Sequence, residues 1–295
     1  PGSCKAITKR IGGMCKDNDI VLYDVRGRDL LAESAVSFDF SKVEGRSRQE
    51  LADEISKADV VSFDLFDTLV MRKVSSYTDV FELVELELKN RGIDIPDLSK
   101  LRLLAEKELS KHGAPVLTEI YEYVLKMTAD VTVNRADGCA YDSAPDASEL
   151  SEIEWRIDRL TMVPRREVCK IFKDAVAEGK HVVVTTDSYY HETQIREILE
   201  GFAITGYEKI FVSCEHGTSK TQALFERVLE FAGEKCGDVA ERDGDGPAKC
   251  RILHIGDDLF SDIETADEYG IRSFRIFSGM DLFDFLGGID RKSVV

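Results

Sequence analysis

The chain has 295 residues, of which 43% are hydrophobic and 32% charged, the composition of a globular protein with room for one large domain or a core with an inserted module. Its formal net charge of −17 argues against nucleic acid and anionic membrane surfaces as main partners. The chain has no apolar run long enough to cross a bilayer and no signal-peptide pattern, so we expect a cytoplasmic protein without membrane insertion.

The amino-terminal part of the chain gives few clues to structure. Residues 1–55 are interpreted as an N-terminal extension or the tail of an upstream domain, with a strand pattern over 19–25 and a helix over 47–57. Because only one glycine, Gly27, follows that strand pattern, a dinucleotide-binding loop is excluded there. The chain begins Pro-Gly-Ser without a methionine, and we interpret it as a fragment of a longer protein.

Residues 77–177 show helical periodicity and are predicted to form an all-helical block. Thr118 is predicted to cap one of its helices, and the small, acidic stretch 137–146 to form an exposed loop. The helical segments are predicted at 79–88, 101–111, 117–127, 149–160 and 167–178.

Strands and helices alternate from His181 onward, and an earlier apolar run at 60–63 also predicts a buried strand. Such alternation indicates an α/β fold with a doubly wound parallel, Rossmann-like sheet, into which the helical block is inserted after the first strand. The core would comprise 56–76 and 178–285, followed by a tail at 286–295. The later strands are predicted at 181–186, 209–213, 251–255 and 271–277, and the helices between them at 191–199, 221–231 and 261–268.

Polar residues follow three of the predicted strands, and a lysine stands at the start of a predicted helix. Because the carboxyl ends of parallel strands meet at one edge of a sheet, we expect these side chains to converge on one crevice. They are Asp64, Asp67 and Thr68 after the first strand, Thr186 and Asp187 after the second, Lys220 at a helix start, and Asp257, Asp258 and Asp262 after the fourth.

Such a set has a use in phosphoryl transfer. Asp64 and Asp257 can supply oxygens to Mg²⁺, a hard cation that accepts a few carboxylates together with substrate phosphate. Lys220 would neutralise the phosphoryl group and Thr186 would hydrogen-bond it, with Thr68 and Asp187 beside them in the binding site. Asp64 can then attack phosphorus and form an aspartyl-phosphate that water hydrolyses.

The order and spacing of these residues resemble the haloacid dehalogenase (HAD) superfamily of hydrolases. Its first motif is similar to Phe63-Asp64-Leu65-Phe66-Asp67-Thr68-Leu69, its second to Thr186, its third to Lys220, and its fourth to Gly256-Asp257-Asp258 with Asp262. The resemblance covers residues 58–280 and implies that the helical block is a cap over the active site. It also implies Mg²⁺ as cofactor and a small phosphorylated metabolite, such as a sugar phosphate or nucleotide sugar, as substrate.

The chain departs from the superfamily's phosphatases two residues after the nucleophile, where Phe66 replaces the usual acid/base aspartate. Phe66 carries no transferable proton, although its backbone carbonyl can still bind the metal. Asp67 either tolerates a left-handed backbone that the family fills with glycine or has taken over proton transfer. Phe66 therefore keeps open a catalytically weak or inactive domain that binds a ligand, and also, with less support, a metal-free dehalogenase-type hydrolase.

Several further residues have more than one interpretation. Arg72 could meet an anionic substrate, lie at the surface or anchor the cap. Asp258 and Asp262 could support the metal ligands or cap a helix, and one of the two is expected to assist the metal. His254 is expected to be a hydrogen-bonded core histidine. Seven scattered cysteines without a CxxC pair favour reduced thiols over disulfides or a zinc site.

A narrower likeness is visible at 63–72, 117–121 and 186–190, which resemble a bacterial subgroup associated with glycosyltransferases of surface-polysaccharide synthesis. This likeness implies a glycosyltransferase domain or partner.

Overall fold

The computed structural model describes residues 48–128, 134–135, 145–236, 250–279 and 281. The strand pattern at 19–25, most of the predicted loop at 137–146 and the tail at 286–295 lie outside these ranges, so those expectations stay predictions. The first described element is helix α1, Arg48–Lys57, which buries Leu51 and Ile55.

The centre of the molecule is a five-stranded parallel sheet with the order β7-β6-β1-β8-β9. Runs rich in valine and isoleucine form its inner strands because a parallel sheet is covered by helices on both faces. The parallel α/β fold class predicted from the strand pattern is confirmed. The strands are β1, Val60–Phe63; β6, His181–Thr186; β7, Lys209–Val212; β8, Ile252–Gly256; and β9, Arg272–Arg275.

The register of the sheet determines where the polar strand ends lie. Phe63, the last residue of β1, is opposite Val184 of β6 and Ile255 of β8. The backbone N–H of Asp64 continues this ladder by donating to the carbonyl of Ile255 at 2.8 Å. Asp64 therefore leaves the sheet between its two neighbouring strands, at the edge where α/β proteins bind ligands.

In the described part of the chain, four helices and two short strands lie between two connecting strands, β2 (Val70–Arg72) and β5 (Met162–Pro164). The connecting strands pair antiparallel, with Val70 opposite Pro164. We call residues 73–161 the helical insert. Its elements are α2, Asp79–Asn90; β3, Ile93–Asp94; α3, Leu98–Leu109; α4, Leu117–Met127; β4, Asn134–Arg135; and α5, Ala147–Thr161.

Helix α6, Arg166–Ala177, falls within the predicted cap range of 77–177 but packs on the sheet. The ring of its Phe172 lies 5.0 Å from that of Phe63 on β1. The insert therefore ends before α6 in the structure. The reason is that the strongly amphipathic α6 buries its apolar side against the strands.

The remaining helices follow the later strands. The predicted helix at 261–268 is instead a π-helical turn, Leu259–Glu264, followed by α10, Thr265–Glu268. The others are α7, Glu192–Gly201; α8, Ser213–His216; and α9, Leu224–Cys236.

Two local predictions were wrong. Thr118 does not cap helix α4, since the helix begins at Leu117 and the carboxylate of Glu119 accepts the backbone N–H of Val116 at 3.1 Å. The prediction that cysteines are unpaired fails for Cys236 and Cys250, which form a disulfide. Spacing along the chain could not show this pair, because the end of α9 and the start of β8 meet only in the fold.

Within the described part of the chain, none of the helices has the length and apolar character needed to span a bilayer.

Candidate active site

A buried lysine joins two of the predicted acids. The Nζ of Lys220 donates to Oδ1 of Asp64 at 2.7 Å and also to Oδ1 of Asp262. All three residues are buried, with at most 5% of each exposed. Because a buried charge is costly unless it is paired, this geometry binds the loops after β1, β7 and β8 into one unit.

The backbone around Lys220 and Asp262 brings these side chains together. The backbone N–H of Lys220 donates to Oδ1 of Asp187 at 3.0 Å, which ties its loop to the end of β6. A Cβ on Gly256 would lie 2.3 Å from the carboxyl carbon of Asp262, so only glycine leaves room for this carboxylate. The backbone N–H of Asp258 also donates to Asp262 at 3.0 Å.

Asp257 completes a cluster of three carboxylates. Asp64, Asp257 and Asp262 each offer one oxygen, and these oxygens lie within 4.8 Å of one another. Thr68 is fully buried and donates its hydroxyl to Asp257 at 3.2 Å, so in this structure it supports an acid. Oxygen ligands at such spacing fit a hard divalent cation, and the donor set therefore suits Mg²⁺.

Charge and burial shift the pKa values of these groups in opposite directions. Burial raises the pKa of Asp64 well above its usual value despite Lys220. Burial, with the nearby Asp262 and Asp67, raises the pKa of Asp257 to about 7. For Asp262, Lys220 and His254 outweigh burial and hold the pKa well below the usual range. Three carboxylates so close together would gain from an added cation.

A buried hydrogen-bond chain orients Asp262 from beneath. His254 is fully buried, and its Nε2 lies 3.1 Å from Oδ1 of Asp262 while its Nδ1 lies 2.8 Å from Oγ of Ser62. Since a carboxylate only accepts, we assign the proton to Nε2, and Ser62 then donates to Nδ1. Thr185 continues the chain at 2.8 Å from Ser62. The expectation that His254 is a hydrogen-bonded core histidine is confirmed.

Thr186 lies at the end of β6 with a hydroxyl that has no partner. Its Oγ1 is the one buried side-chain polar atom left without a hydrogen bond in the described ranges. An unsatisfied buried hydroxyl is costly, and such atoms in native structures call for a reason. A ligand oxygen at the strand end would supply the missing bond.

Asp67 occupies a left-handed backbone conformation with φ of 58°. The guanidinium of Arg165 donates to the backbone carbonyl of Asp67 and, at 2.7 Å, to that of Phe277. Asp67 is one of the residues that line the cavity between the strand ends and the insert, and burial raises the pKa of its carboxyl. The structure thus agrees with the conformational explanation for aspartate at this position and leaves its carboxyl available for chemistry.

Arg72 and Asp258 have structural partners. Arg72 forms a bidentate ion pair with Asp158 of the insert, with both N–O distances at 2.7 Å, and its guanidinium lies 4.4 Å from the ring centre of Phe66. Asp258 is exposed and accepts the backbone N–H groups of Phe260 and Ser261, so it caps the π-helical turn and lies outside the carboxylate cluster. In this structure Arg72 is thus paired with the insert, and Asp262, not Asp258, belongs to the carboxylate cluster.

A cavity of about 490 Å³ separates these strand ends from the insert. Two close contacts join the insert to the sheet side of the molecule. The N–H of Leu117 donates to the carbonyl of Tyr189 at 2.9 Å, and a Cβ on Gly113 would lie 3.0 Å from the carbonyl oxygen of Gly217. The cavity is lined from the sheet side by Phe66, Asp67, Arg72, Asp187, Ser188, Tyr189, Tyr190, Ser213, Ser219, Thr221 and Gln222, and from the insert by Tyr77, Glu106, Ser110, Gly113, Ala114 and Pro115.

Sequence reasoning missed two residues that organise the site. The carboxylate of Asp158 forms an ion pair with Arg72 and accepts a hydrogen bond from the hydroxyl of Tyr190 at 2.9 Å. Asp158 thereby links the insert to the loops after β1 and β6. Arg165 fixes the backbone of Asp67. Asp158 sits on the apolar side of a predicted amphipathic helix, which is an available sequence signal, whereas Arg165 follows a helix break and offers none.

No protein-family model and no curated protein matches the chain. Among solved structures, the HAD-hydrolase YfnB from Bacillus subtilis, bound to magnesium, is 14% identical, with 78% of this chain and 99% of that chain covered and a TM-score of 0.48. The 2-haloacid dehalogenase from Pseudomonas syringae pv. tomato DC3000 is 19% identical, with 74% and 86% covered and a TM-score of 0.48. A HAD-family enzyme from Bacteroides thetaiotaomicron, in complex with magnesium and inorganic phosphate, is 13% identical, with 75% and 96% covered and a TM-score of 0.43. The solved structures similar to this chain thus include HAD-family hydrolases, and the likeness concerns the fold.

Proposed function

We propose that this chain is a Mg²⁺-dependent hydrolase of the HAD superfamily, which removes phosphate from a small phosphorylated metabolite through an aspartyl-phosphate on Asp64. The observation that carries the proposal is the convergence of Asp64, Lys220 and the carboxylates of Asp257 and Asp262 at one edge of the sheet. The unpartnered hydroxyl of Thr186 at the same edge supports it.

Asp64 is suited to act as the nucleophile. Lys220 holds Oδ1, while Oδ2 has no hydrogen-bond partner among the described residues and can attack phosphorus. The bond between phosphorus and the leaving oxygen breaks as the bond to Asp64 forms, and water then hydrolyses the acyl phosphate. Lys220 and Thr186 would hold phosphoryl oxygens during both steps.

Bound Mg²⁺, held by Asp64, Asp257 and the backbone carbonyl of Phe66 with Asp262 beside them, would supply positive charge against the phosphoryl oxygens. The residues present fit this ion. The three clustered carboxylates with Lys220 between two of them carry net negative charge, which a divalent cation offsets.

Proton transfer falls to Asp67 in this proposal. Phe66 cannot donate a proton, and Asp67 is among the residues that line the cavity where a leaving group would sit. The protonated form of Asp67 would give its proton to the leaving oxygen, and the carboxylate would then accept a proton from the attacking water. Arg165 and Arg72 limit the rise in its pKa that burial causes.

A phosphatase screen with and without Mg²⁺ tests the proposal on the wild type and the variants Asp64→Asn and Asp67→Asn. We expect Mg²⁺-dependent turnover that EDTA removes, that Asp64→Asn abolishes, and that Asp67→Asn lowers by roughly 10²-fold or more with Mg²⁺ affinity unchanged. If the wild type and Asp64→Asn show equal turnover, the proposal that this chain is a hydrolase acting through Asp64 is refuted. Activity that survives chelation would instead favour the metal-free, dehalogenase-type reaction.

Phe66 favours one second candidate, a catalytically weak domain that binds a ligand. In that case the likeness at 63–72 to the surface-polysaccharide subgroup suggests association with a glycosyltransferase in the cytoplasm. Co-purification of the chain with a glycosyltransferase encoded beside it, together with absent turnover on a broad phosphoester panel, would support this candidate over the hydrolase.

A further inference from the structure

The wall of the cavity formed by the insert presents polar atoms that the protein itself does not use. The hydroxyl groups of Tyr77, Ser110 and Tyr189 have no hydrogen-bond partner in the described part of the chain. The carboxylate of Glu106 accepts a hydrogen bond from Arg102 through Oε2 at 2.7 Å, and its Oε1 is left without a partner there. These atoms form a set of acceptors and hydroxyls around a volume suited to a small metabolite.

The position of Glu106 is fixed by buried neighbours. Arg102 is fully buried and forms a bidentate ion pair with Glu154, with both N–O distances at 2.8 Å. Its guanidinium also lies 4.4 Å from the ring centre of Phe81 and 4.6 Å from that of Tyr189. Arg102 cannot turn away from this setting without leaving Glu154 unpaired, so Glu106 is held at the cavity wall.

The charge of the lining is negative. It contains three acids, Asp67, Glu106 and Asp187, against one cation, Arg72, whose guanidinium is engaged by Asp158. Lys220 is shared by two carboxylates and serves the phosphoryl position. Among the described lining residues, no cation is therefore available for a second anionic group on the substrate.

We propose that Glu106 is a specificity-determining residue, which selects monophosphates of hydroxyl- or amine-bearing leaving groups and rejects substrates with a second phosphate. This inference rests on the proposed hydrolase activity. It narrows the proposed substrate class from sugar phosphates or nucleotide sugars to monophosphates alone. Glu106 Oε1 accepts a hydrogen bond from the hydroxyl or ammonium group of the leaving group, with the hydroxyls of Tyr77 and Tyr189 close by. A second phosphate would be repelled by the negative charges of Glu106 and Asp187, and the described lining offers no free cation to offset this repulsion.

The test compares kcat/KM for fructose 6-phosphate and fructose 1,6-bisphosphate, which share one skeleton, in the full chain with Mg²⁺. We expect the wild type to prefer the monophosphate by about tenfold or more. Glu106→Gln keeps the shape of the side chain but removes its charge, and it should reduce this preference at least about fivefold. Glu108→Gln, on the same helix and paired with Lys111 at the surface, should leave the preference unchanged.

Glucosamine 6-phosphate and p-nitrophenyl phosphate complete the panel. Glu106→Gln should lower kcat/KM for glucosamine 6-phosphate more than for p-nitrophenyl phosphate, whose leaving group has no hydrogen-bond donor. An equal use of mono- and bisphosphate by the wild type, or a preference that Glu106→Gln does not change, overturns the inference. If the protein hydrolyses only p-nitrophenyl phosphate, and does so through Asp64, the proposed role of Glu106 is wrong but the proposed hydrolase activity is supported. If none of the four compounds is hydrolysed, both the role of Glu106 and the hydrolase activity are refuted.

Discussion

The ion pair between Arg72 and Asp158 allows a quantitative prediction of how much stability the protein loses when one partner is removed. Asp158 is fully buried and the side chain of Arg72 is 10% exposed, so both charges have lost most of their water. Asp158 also receives the hydroxyls of Tyr190 at 2.9 Å and Thr161 at 3.2 Å. Asp158→Ala would leave the guanidinium buried without its carboxylate and the hydroxyl of Tyr190 without its acceptor, whereas Thr161 would keep its 2.7 Å bond to the backbone carbonyl of residue 158.

Removal of one partner from a buried ion pair costs about 3–5 kcal/mol, which is a large part of the 5–15 kcal/mol typical of native proteins. We therefore expect the free energy of unfolding of Asp158→Ala to fall by about 3–5 kcal/mol in equilibrium urea denaturation. The double variant Arg72→Met/Asp158→Leu should recover most of this loss, because it removes both charges and restores apolar packing.

A surface ion pair provides the matched control. Arg159 and Glu197 also join the insert to the sheet side of the molecule, but about half of each side chain is exposed. Arg159→Ala should cost less than about 1 kcal/mol. A loss below 1 kcal/mol for Asp158→Ala, or a double variant as unstable as Asp158→Ala, would refute the view that this pair is a buried anchor.

Two other predictions concern backbone space and thiol chemistry. Gly256→Ala would place a Cβ 2.3 Å from the carboxyl carbon of Asp262, so calorimetry should show at least about tenfold weaker Mg²⁺ binding, whereas Gly201→Ala, with nothing within 4 Å, should bind Mg²⁺ normally. Wild-type affinity in Gly256→Ala would contradict this account of the site. Burial raises the pKa of Cys214 to about 12, so peptide mass spectrometry should find this thiol unmodified by iodoacetamide at pH 8 in the folded protein. The cysteines of the disulfide should react only after reduction, and alkylation of either without a reductant would count against that bond.

The sheet could be predicted from sequence because its central strands are buried and largely apolar. The runs at 60–63, 181–186 and 252–256 differ from their surroundings in composition. A polar residue ends or directly follows each run, namely Asp64, Thr186 and Asp257, and the parallel register then aligns these residues. The meeting of Asp64 with Lys220 follows from that alignment, since both lie at the carboxyl edge.

The parts that could not be predicted depend on contacts distant in the chain or on very short elements. The strand β2 has three residues, too few to show a period of two, and its partner lies about ninety residues further on. The sequence contains many acids that could pair with Arg72, and nothing in it singles out Asp158. Helical periodicity shows which side of a helix is buried, but it does not show which arginine contacts an acid on that side. The unpartnered hydroxyl of Thr186 is likewise visible only once its surroundings are known.

The pairing of β2 with β5 has a consequence for how this protein can be altered. Because Val70 and Pro164 are opposite each other, the chain enters and leaves the insert at neighbouring points, roughly 5 Å apart in an antiparallel pair. Such adjacent ends are where insertions, deletions and module exchange are tolerated. The insert is therefore an exchangeable unit, but a transplanted replacement must bring its own buried carboxylate to meet Arg72.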